Sequence, residues 1–421
     1  MIALLAVLAL AAGACSNAKE KDSGSGGSGS GGGSTEVIDQ PGVTADTIRV
    51  GGVASITNPL NAPYGDIFEG VKAYFAMVNA NGGIDGRDLE VVSERDDQIA
   101  NNLREVEGLL SQDDVFAALG MATIFDFSGA DALAEAGTPT FGWNINEDWT
   151  GKPNLFGNVG ALCIGCTGIE LPWVAQELGK TKIGVMAYGV ANSKSCAEGI
   201  RDSFEEFPSA EIGFYSDSLA FGTADFSVEV GKMKDAGVDF VTTCMDTNAV
   251  LSVAKEMRQQ GLDAIQYLPN GYDQEFMAAN GEFFEGSIVR VPFAPYETKP
   301  RPEGLQEYLQ WMKKQGITPN EYTTYGWINA AMFVEGLKAA GPEFTQQKVV
   351  DALNEMTDDT VGGILAGIDW TTEHDDTMPP ETCGAYVVVK DGEFVSEFVP
   401  KGKAFVCHQR SDDLAADPTF K

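Results

Sequence analysis

The sequence predicts an α/β protein made of two doubly wound parallel sheets, each with helices on both faces. Three observations predict it. Short apolar runs alternate with helical patterns of roughly ten to fifteen residues along most of the chain, as parallel strands joined by crossover helices require. The alternation gives more β-α units than one sheet of ordinary size holds. The length, 421 residues, is enough for two cores.

The elements follow in order. "TIRVGGVAS" (Thr47–Ser55) reads as a buried strand. A helix follows, in which Phe68, Val71, Phe75 and Val78 recur at helical spacing. Asn81-Gly82-Gly83 stops it, because glycine takes the left-handed position that ends a helix. Asp85-Gly86 makes a turn and "LEVVSE" is the next strand. "NLREVEGLLSQ" is a helix and "VFAALG" a strand; "FSGADALAEAG" is a helix and "PTFGW" a strand. The first sheet is expected to give way to the second near "NLFGNVGALC" (Asn154–Cys163). Four further helix–strand pairs then run from "ELPWVAQELG" to "AIQYLPNG". "SIVRVPFAPYETKPRPEG" reads as an irregular, Pro-rich passage, and three helices follow it. "GAYVVVKDGEFVSEFV" reads as a hairpin turning at Asp391-Gly392.

Composition narrows the function. The hydrophobic share of 43% and charged share of 21% are ordinary for a globular protein. The balance of charge is not: 62 acidic against 28 basic residues gives a formal net charge of -34. Such a chain repels phosphate backbones, so nucleic acid is excluded as a partner. No GxSxG elbow, GxxxxGK[ST] loop, GxGxxG or HExxH is present, and the two histidines, His374 and His408, lie far from the expected strand ends. The chain is therefore read as no enzyme, and no cofactor or metal is expected. The acid-rich "DWTTEHDDTMPPE" (Asp369–Glu381) lacks the central glycine of a helix–loop–helix calcium site and reads as a solvated loop.

The N-terminus suggests export. "MIALLAVLALAAGAC" is an apolar run too short to span a bilayer, and it ends in small residues before Cys15. It resembles a bacterial lipoprotein signal, residues 1–15, whose cysteine is lipidated. The basic residues that open such a leader are missing, as expected if the true start lies further upstream. Residues 16–42 carry a Gly/Ser tract, which stays a flexible coil and serves as a tether with a reach of roughly 20 Å. An exported chain with six further cysteines is expected to hold disulfides. Cys383 and Cys407 flank the predicted hairpin and are expected to pair. Cys163, Cys166, Cys196 and Cys244 make two further bonds, and three pairings of them are open. Cys163 and Cys166 form a CxxC, a spacing also used by redox enzymes and zinc sites, but no further ligand stands at metal spacing.

These residues point to a family. "TIRVGGVAS…PYGDIFEGVKAYFAMVNANGGIDGRDLEVVSERDD" resembles the N-terminal signature of the type I periplasmic binding proteins of the leucine/isoleucine/valine-binding kind. "DFSVEVGKMKDAGVDFV", "AKEMRQQGL" and "YTTYGWINAAMFVEGLKAAG" continue the resemblance in the right order, from about Thr47 to Val406. The resemblance implies two lobes joined by a three-strand hinge, with a small polar ligand clamped between them. Lobe one would be residues 43–158 and 291–366, and lobe two residues 159–290 and 367–408. It also implies a monomer held outside the cytoplasm by its lipid anchor, with an ABC permease and ATPase as partners. A sensor that reports to a receptor without transport is the alternative.

Ligands of parallel sheets bind beyond the carboxyl ends of the strands. Carried over by resemblance, lobe one contributes Tyr64, then Ala122 and Thr123 in the loop that binds a ligand carboxylate, then Trp143, Asn144 and Asn146. Lobe two contributes Asn192, Asp246, Thr247 and Asn270. Asn270 stands where amino-acid-binding members often carry an acid for the α-ammonium. Asp246, across the same cleft, is the candidate to replace that acid.

Overall fold

The computed structural model describes residues 38–159, 167–268, 270–374 and 381–421. Cys15, most of the tether, Cys163 and Cys166 lie outside the described residues, as do residues 375–380 of the acid-rich stretch.

The first sheet is built from β1 (Thr47–Ala54), β2 (Asp88–Asp96), β3 (Ala117–Met121), β4 (Thr140–Asn144) and β5 (Leu155–Val159). Its order is β2-β1-β3-β4-β5 and every neighbouring pair is parallel. Helices α1 (Asp66–Ala80), α2 (Asn102–Gln112) and α3 (Ala130–Ala136) make the crossovers. The motif after α1 sets that helix against its sheet. Gly83 N–H reaches back to the Val78 carbonyl at 3.0 Å, closing the helix end. The Asn79 side chain bonds both the N–H and the C=O of Leu89 on β2, at 2.8 and 3.0 Å. Asp85 and Gly86 take φ of 49° and 80°, so the turn needs two left-handed residues, and Asp-Gly supplies them.

The second sheet takes β6 (Lys182–Tyr188), β7 (Glu211–Leu219), β8 (Phe240–Cys244), β9 (Ile265–Leu268) and β10 (Ile288–Val291) in the order β7-β6-β8-β9-β10, all parallel. Helices α4 (Glu170–Glu177), α5 (Ala191–Glu206), α6 (Ser227–Ala236), α7 (Thr247–Gln260) and α8 (Gln274–Asn280) accompany them. The chain then leaves for α9 (Glu303–Gln315), α10 (Glu321–Ala340) and α11 (Gln346–Asn354), which belong with the first sheet, and returns through α12 (Trp370–Glu373). It ends in β11 (Glu381–Lys390), β12 (Glu393–Ser396), β13 (Val406–Gln409) and β14 (Thr419–Phe420).

Two expectations need correction. The segment read as irregular contains β10, a fully buried four-residue strand. It is too short to show a period, and the prolines after it dominate the sequence signal. The second sheet is also mixed: β11 runs antiparallel to β10 and pairs with β12 and β13. The hairpin of β11 and β12 turns at Asp391 and Gly392, at φ of 53° and 77°. Cys383 and Cys407 are directly opposed on β11 and β13 and are disulfide-bonded. Cys196 bonds to Cys244, tying α5 to the end of β8.

Most of helix α10 is apolar and buried, packed against α1, α11 and the first sheet. Its approach to α1 depends on missing side chains. A Cβ on Gly326 would lie 1.8 Å from the Ile67 carbonyl oxygen, so only glycine lets the two backbones meet there. The largest apolar cluster runs from this helix pair through the first sheet to Leu268 and Val289 of the second and Met277 of α8.

Candidate functional site

Because β1–β5 in the first sheet and β6–β10 in the second run parallel, their carboxyl ends open on one side of each sheet. The loops that leave those ends touch across the two sheets. Asn192 Nδ2, on α5, donates to the Ile124 carbonyl at 2.7 Å. Asn248 Nδ2, on α7, donates to the Leu60 carbonyl at 2.7 Å. The rings of Phe125 and Phe221 meet edge to face at 4.9 Å. The cleft expected from the sequence falls among these contacts.

Its first wall is aromatic. Tyr64, just before α1, is 6% exposed. It stacks on Trp143 at 5.6 Å and meets Tyr322 edge to face at 5.1 Å. Trp143 in turn lies parallel to Tyr325 at 6.2 Å. Such packing combines apolar burial with ring–ring attraction. Burial pushes the Tyr64 hydroxyl's pKa up, and the charge of Asp246 adds to the shift, so the phenol stays a hydrogen-bond donor.

The second wall is polar. Asp246 caps α7: its Oδ1 accepts the N–H groups of Asn248 and Ala249 at 2.9 and 3.3 Å. Its Oδ2 accepts the Tyr188 hydroxyl at 2.5 Å. Burial raises the Tyr188 pKa, and this bond to Asp246 raises it further. Thr247 is the first residue of α7, and its methyl group would sit 3.9 Å from a Cβ on Gly271. Asn270 donates through Nδ2 to the Met245 carbonyl at 3.2 Å, while its buried Oδ1 has no hydrogen-bond partner.

The remaining expected residues act mostly as framework. Ala122 continues the ladder to β1: its N–H donates to Val53 and its carbonyl accepts from Ser55, at 3.0 and 2.9 Å. It offers no free backbone group to a carboxylate. Thr123 spends its hydroxyl on the Asp126 carbonyl at 2.9 Å, and Asn146 Nδ2 donates to the Thr123 carbonyl at 3.3 Å. Asn144 follows Trp143 in a strand, so its side chain projects to the other face. There it meets Gly157 beside Trp149, away from the aromatic wall.

Several cleft residues were not picked out from sequence. Tyr188 is the last residue of β6, where the strand-end rule points. Tyr322 and Tyr325 stand one helical turn apart in the "YTTYGWIN" stretch, and no spacing tells such a pair from core aromatics. Asn248 and Glu321 carry no sequence signal of their own. Glu321, the first residue of α10, is 7% exposed and accepts the Tyr325 hydroxyl at 2.6 Å. Burial pushes its carboxyl up to about 7.

A carboxylate bonded by the Tyr188 phenol, an aromatic wall and several amides can hold a small ligand with an apolar body and a polar or cationic end. Two α/β lobes with such a cleft define a ligand-clamping binding protein. The family model described as periplasmic binding protein matches residues 47–393, and the chain belongs to that family, as a type I member. It is similar to the leucine-, isoleucine-, valine-, threonine- and alanine-binding protein of Pseudomonas aeruginosa, 23% identical over 339 residues that span 77% of this chain and 86% of the relative. Among solved structures it resembles the branched-chain amino acid transporter substrate-binding protein of Streptococcus pneumoniae in complex with isoleucine. That match has a TM-score of 0.69 at 21% identity and covers 84% of this chain and 99% of the other. A branched chain amino acid ABC transporter structure from Thermus thermophilus, with bound valine, matches with a TM-score of 0.68 at 19% identity, over 83% of this chain and 95% of that one. The relatives are substrate-binding proteins rather than enzymes, and the family works outside the cytoplasm. Among the described residues, no helix is long and apolar enough to cross a membrane.

Proposed function

We propose that this chain is the lipid-anchored receptor of an ABC importer and clamps a small ligand with an apolar body. A branched-chain amino acid, or a related amide or carboxylate, is the best fit. One observation carries the reading: the Asp246 carboxylate is held at the start of α7, whose Asn248 bonds the Leu60 carbonyl in the loop that leads to Tyr64 and its aromatic wall. Asp246 takes the ligand's ammonium, in place of the acid missing at Asn270. Tyr64, Trp143 and Tyr322 cover its apolar part. The names of the relatives, which specify leucine, isoleucine and valine, support the ligand class. Cys15 carries the anchor and the Gly/Ser tract gives the receptor its reach to the permease.

A thermal-shift screen tests the reading, with leucine, isoleucine, valine, amides, short carboxylates and aromatic acids. A ligand that binds only the folded state raises the melting temperature with concentration. The expected outcome is a rise with a branched-chain amino acid that shrinks in Asp246→Asn. A rise with other ligands alone replaces the ligand class, and no rise with any of them defeats the binding reading. Cys15→Ser is expected to move the protein from the membrane fraction to the soluble one.

A further inference from the structure

We propose that Phe221 is a positioning residue for ligand capture. Its ring rests on Tyr188, which holds Asp246, and on Phe125 of the other lobe, so one side chain joins the carboxylate that takes the ligand to the closing of the cleft. The inference rests on the reading of the cleft as one that closes on a ligand at Asp246.

The second lobe presents Phe221 on a tight turn. β7 ends at Leu219, and the Thr223 N–H then donates to the Ala220 carbonyl at 3.0 Å, which puts Phe221 and Gly222 at the two central positions. Gly222 takes φ of 76°, a left-handed position that turns of this kind fill with glycine. The Leu219 carbonyl accepts the Gly189 N–H at 2.8 Å, which sets the turn beside the end of β6. There the Tyr188 ring meets the Phe221 ring at 5.1 Å, and the Tyr188 hydroxyl donates to Asp246 Oδ2 at 2.5 Å. Tyr188, 2% exposed, is thus held at both ends, by Phe221 and by the carboxylate.

The first lobe presents Phe125 on the loop after β3. The loop is shaped by its own bonds: the Thr123 hydroxyl donates to the Asp126 carbonyl at 2.9 Å, and the Ile124 N–H donates to Ser55 Oγ at 3.3 Å. Phe125 then meets Phe221 with ring centroids 4.9 Å apart and planes at 69°, so the positive edge of one ring faces the negative face of the other. The neighbouring Ile124 carbonyl accepts Asn192 at 2.7 Å, so the second lobe grasps this loop twice, by a ring and by an amide. Phe221 is half-buried and packs against both the largest apolar cluster and the separate cluster beneath α6 and α7. The Phe125 contact joins residues of different lobes, so it forms on closure and breaks on opening. A contact made only after encounter slows release and leaves entry unchanged.

Stopped-flow fluorescence with isoleucine tests the proposal, because a loss of folding lowers the fraction that binds and leaves both rate constants as they were. Phe221→Ala should speed release about tenfold or more and keep association within about twofold of wild type. Phe125→Ala, which leaves the contact of Phe221 with Tyr188 intact, should speed release about two- to tenfold. Adding Phe125→Ala to Phe221→Ala should speed release by less than about twofold more, since both remove one contact. Phe221→Leu keeps apolar bulk without the ring and should lie between wild type and Phe221→Ala, which keeps the test open if Phe221→Ala does not fold. Unchanged release in the single variants, or full additivity in the double one, overturns the proposal. If wild type does not bind isoleucine, the ligand assignment fails, and small-angle X-ray scattering of the ligand-free chain judges Phe221 instead. The radius of gyration should then rise in Phe221→Ala and in Phe125→Ala, and equal radii overturn the proposal.

Discussion

The two rims of the cleft are held in place by different physics. On the first lobe, Tyr64, Trp143 and Tyr322 are fixed by packing on one another and on α10. On the second, Asp246, Asn192 and Asn270 are fixed by hydrogen bonds and by the Cys196–Cys244 disulfide beneath them. The aromatic rim continues the hydrophobic core, and its stability and shape are one property. The polar rim stands at helix starts and strand ends, where backbone groups need capping in any case. Ligand chemistry can therefore change on the second rim at little cost to the fold, whereas changes on the first disturb both.

The largest test of that contrast is Trp143→Ala. Removing a large buried ring at 7% exposure should cost about 3–5 kcal/mol in urea unfolding with an unchanged m-value. A loss near zero would mean the rim is not part of the core. Next comes replacement of both Cys196 and Cys244 by alanine. Their separation of 48 residues predicts a loss of about 3–4 kcal/mol, read by the same unfolding. It should also weaken ligand binding, because the α5 start that carries Asn192 would loosen from β8.

Asp246 separates capping from recognition. Asp246→Ala should lose about 1–2 kcal/mol of stability, since the α7 cap goes and the Tyr188 hydroxyl loses its acceptor. Asp246→Asn keeps the cap, so unfolding should barely change while affinity for an ammonium-bearing ligand falls. Equal losses in both variants would make Asp246 a structural cap alone. The smallest effects belong to Asn192→Ala and Asn248→Ala, each removing one bond between the lobes. Unfolding should be nearly unaffected and ligand release about two- to tenfold faster in each. The two bonds share no partner, so their effects should add.

How far the sequence reached follows the same division. Elements with a clear period or a turn of fixed chemistry were legible: α1 with its Asn-Gly-Gly end, the Asp85-Gly86 and Asp391-Gly392 turns, and the β-α alternation. β10 was missed because four buried residues beside prolines carry no period. At the site, the resemblance led to Tyr64, Asp246 and Asn270, which the structure places in the aromatic wall, at the α7 cap and against the Met245 carbonyl. It also included Asn144, which the alternation of side chains along β4 turns away. Ala122 and Asn146 proved to be spent on the backbone of their own lobe.

The sequence by itself determined the class of fold, the acidic surface and the opening motif that sets the first helix on its sheet. All of these depend on contacts between near neighbours in the chain, or on composition alone. Only the tertiary structure decided that Cys196 meets Cys244, that Asn248 reaches the Leu60 carbonyl, and that Tyr188 donates to Asp246. Those pairs lie tens to hundreds of residues apart. Their meeting is set by how strands order within each sheet and how the chain crosses between the two, and neither leaves a local pattern to read.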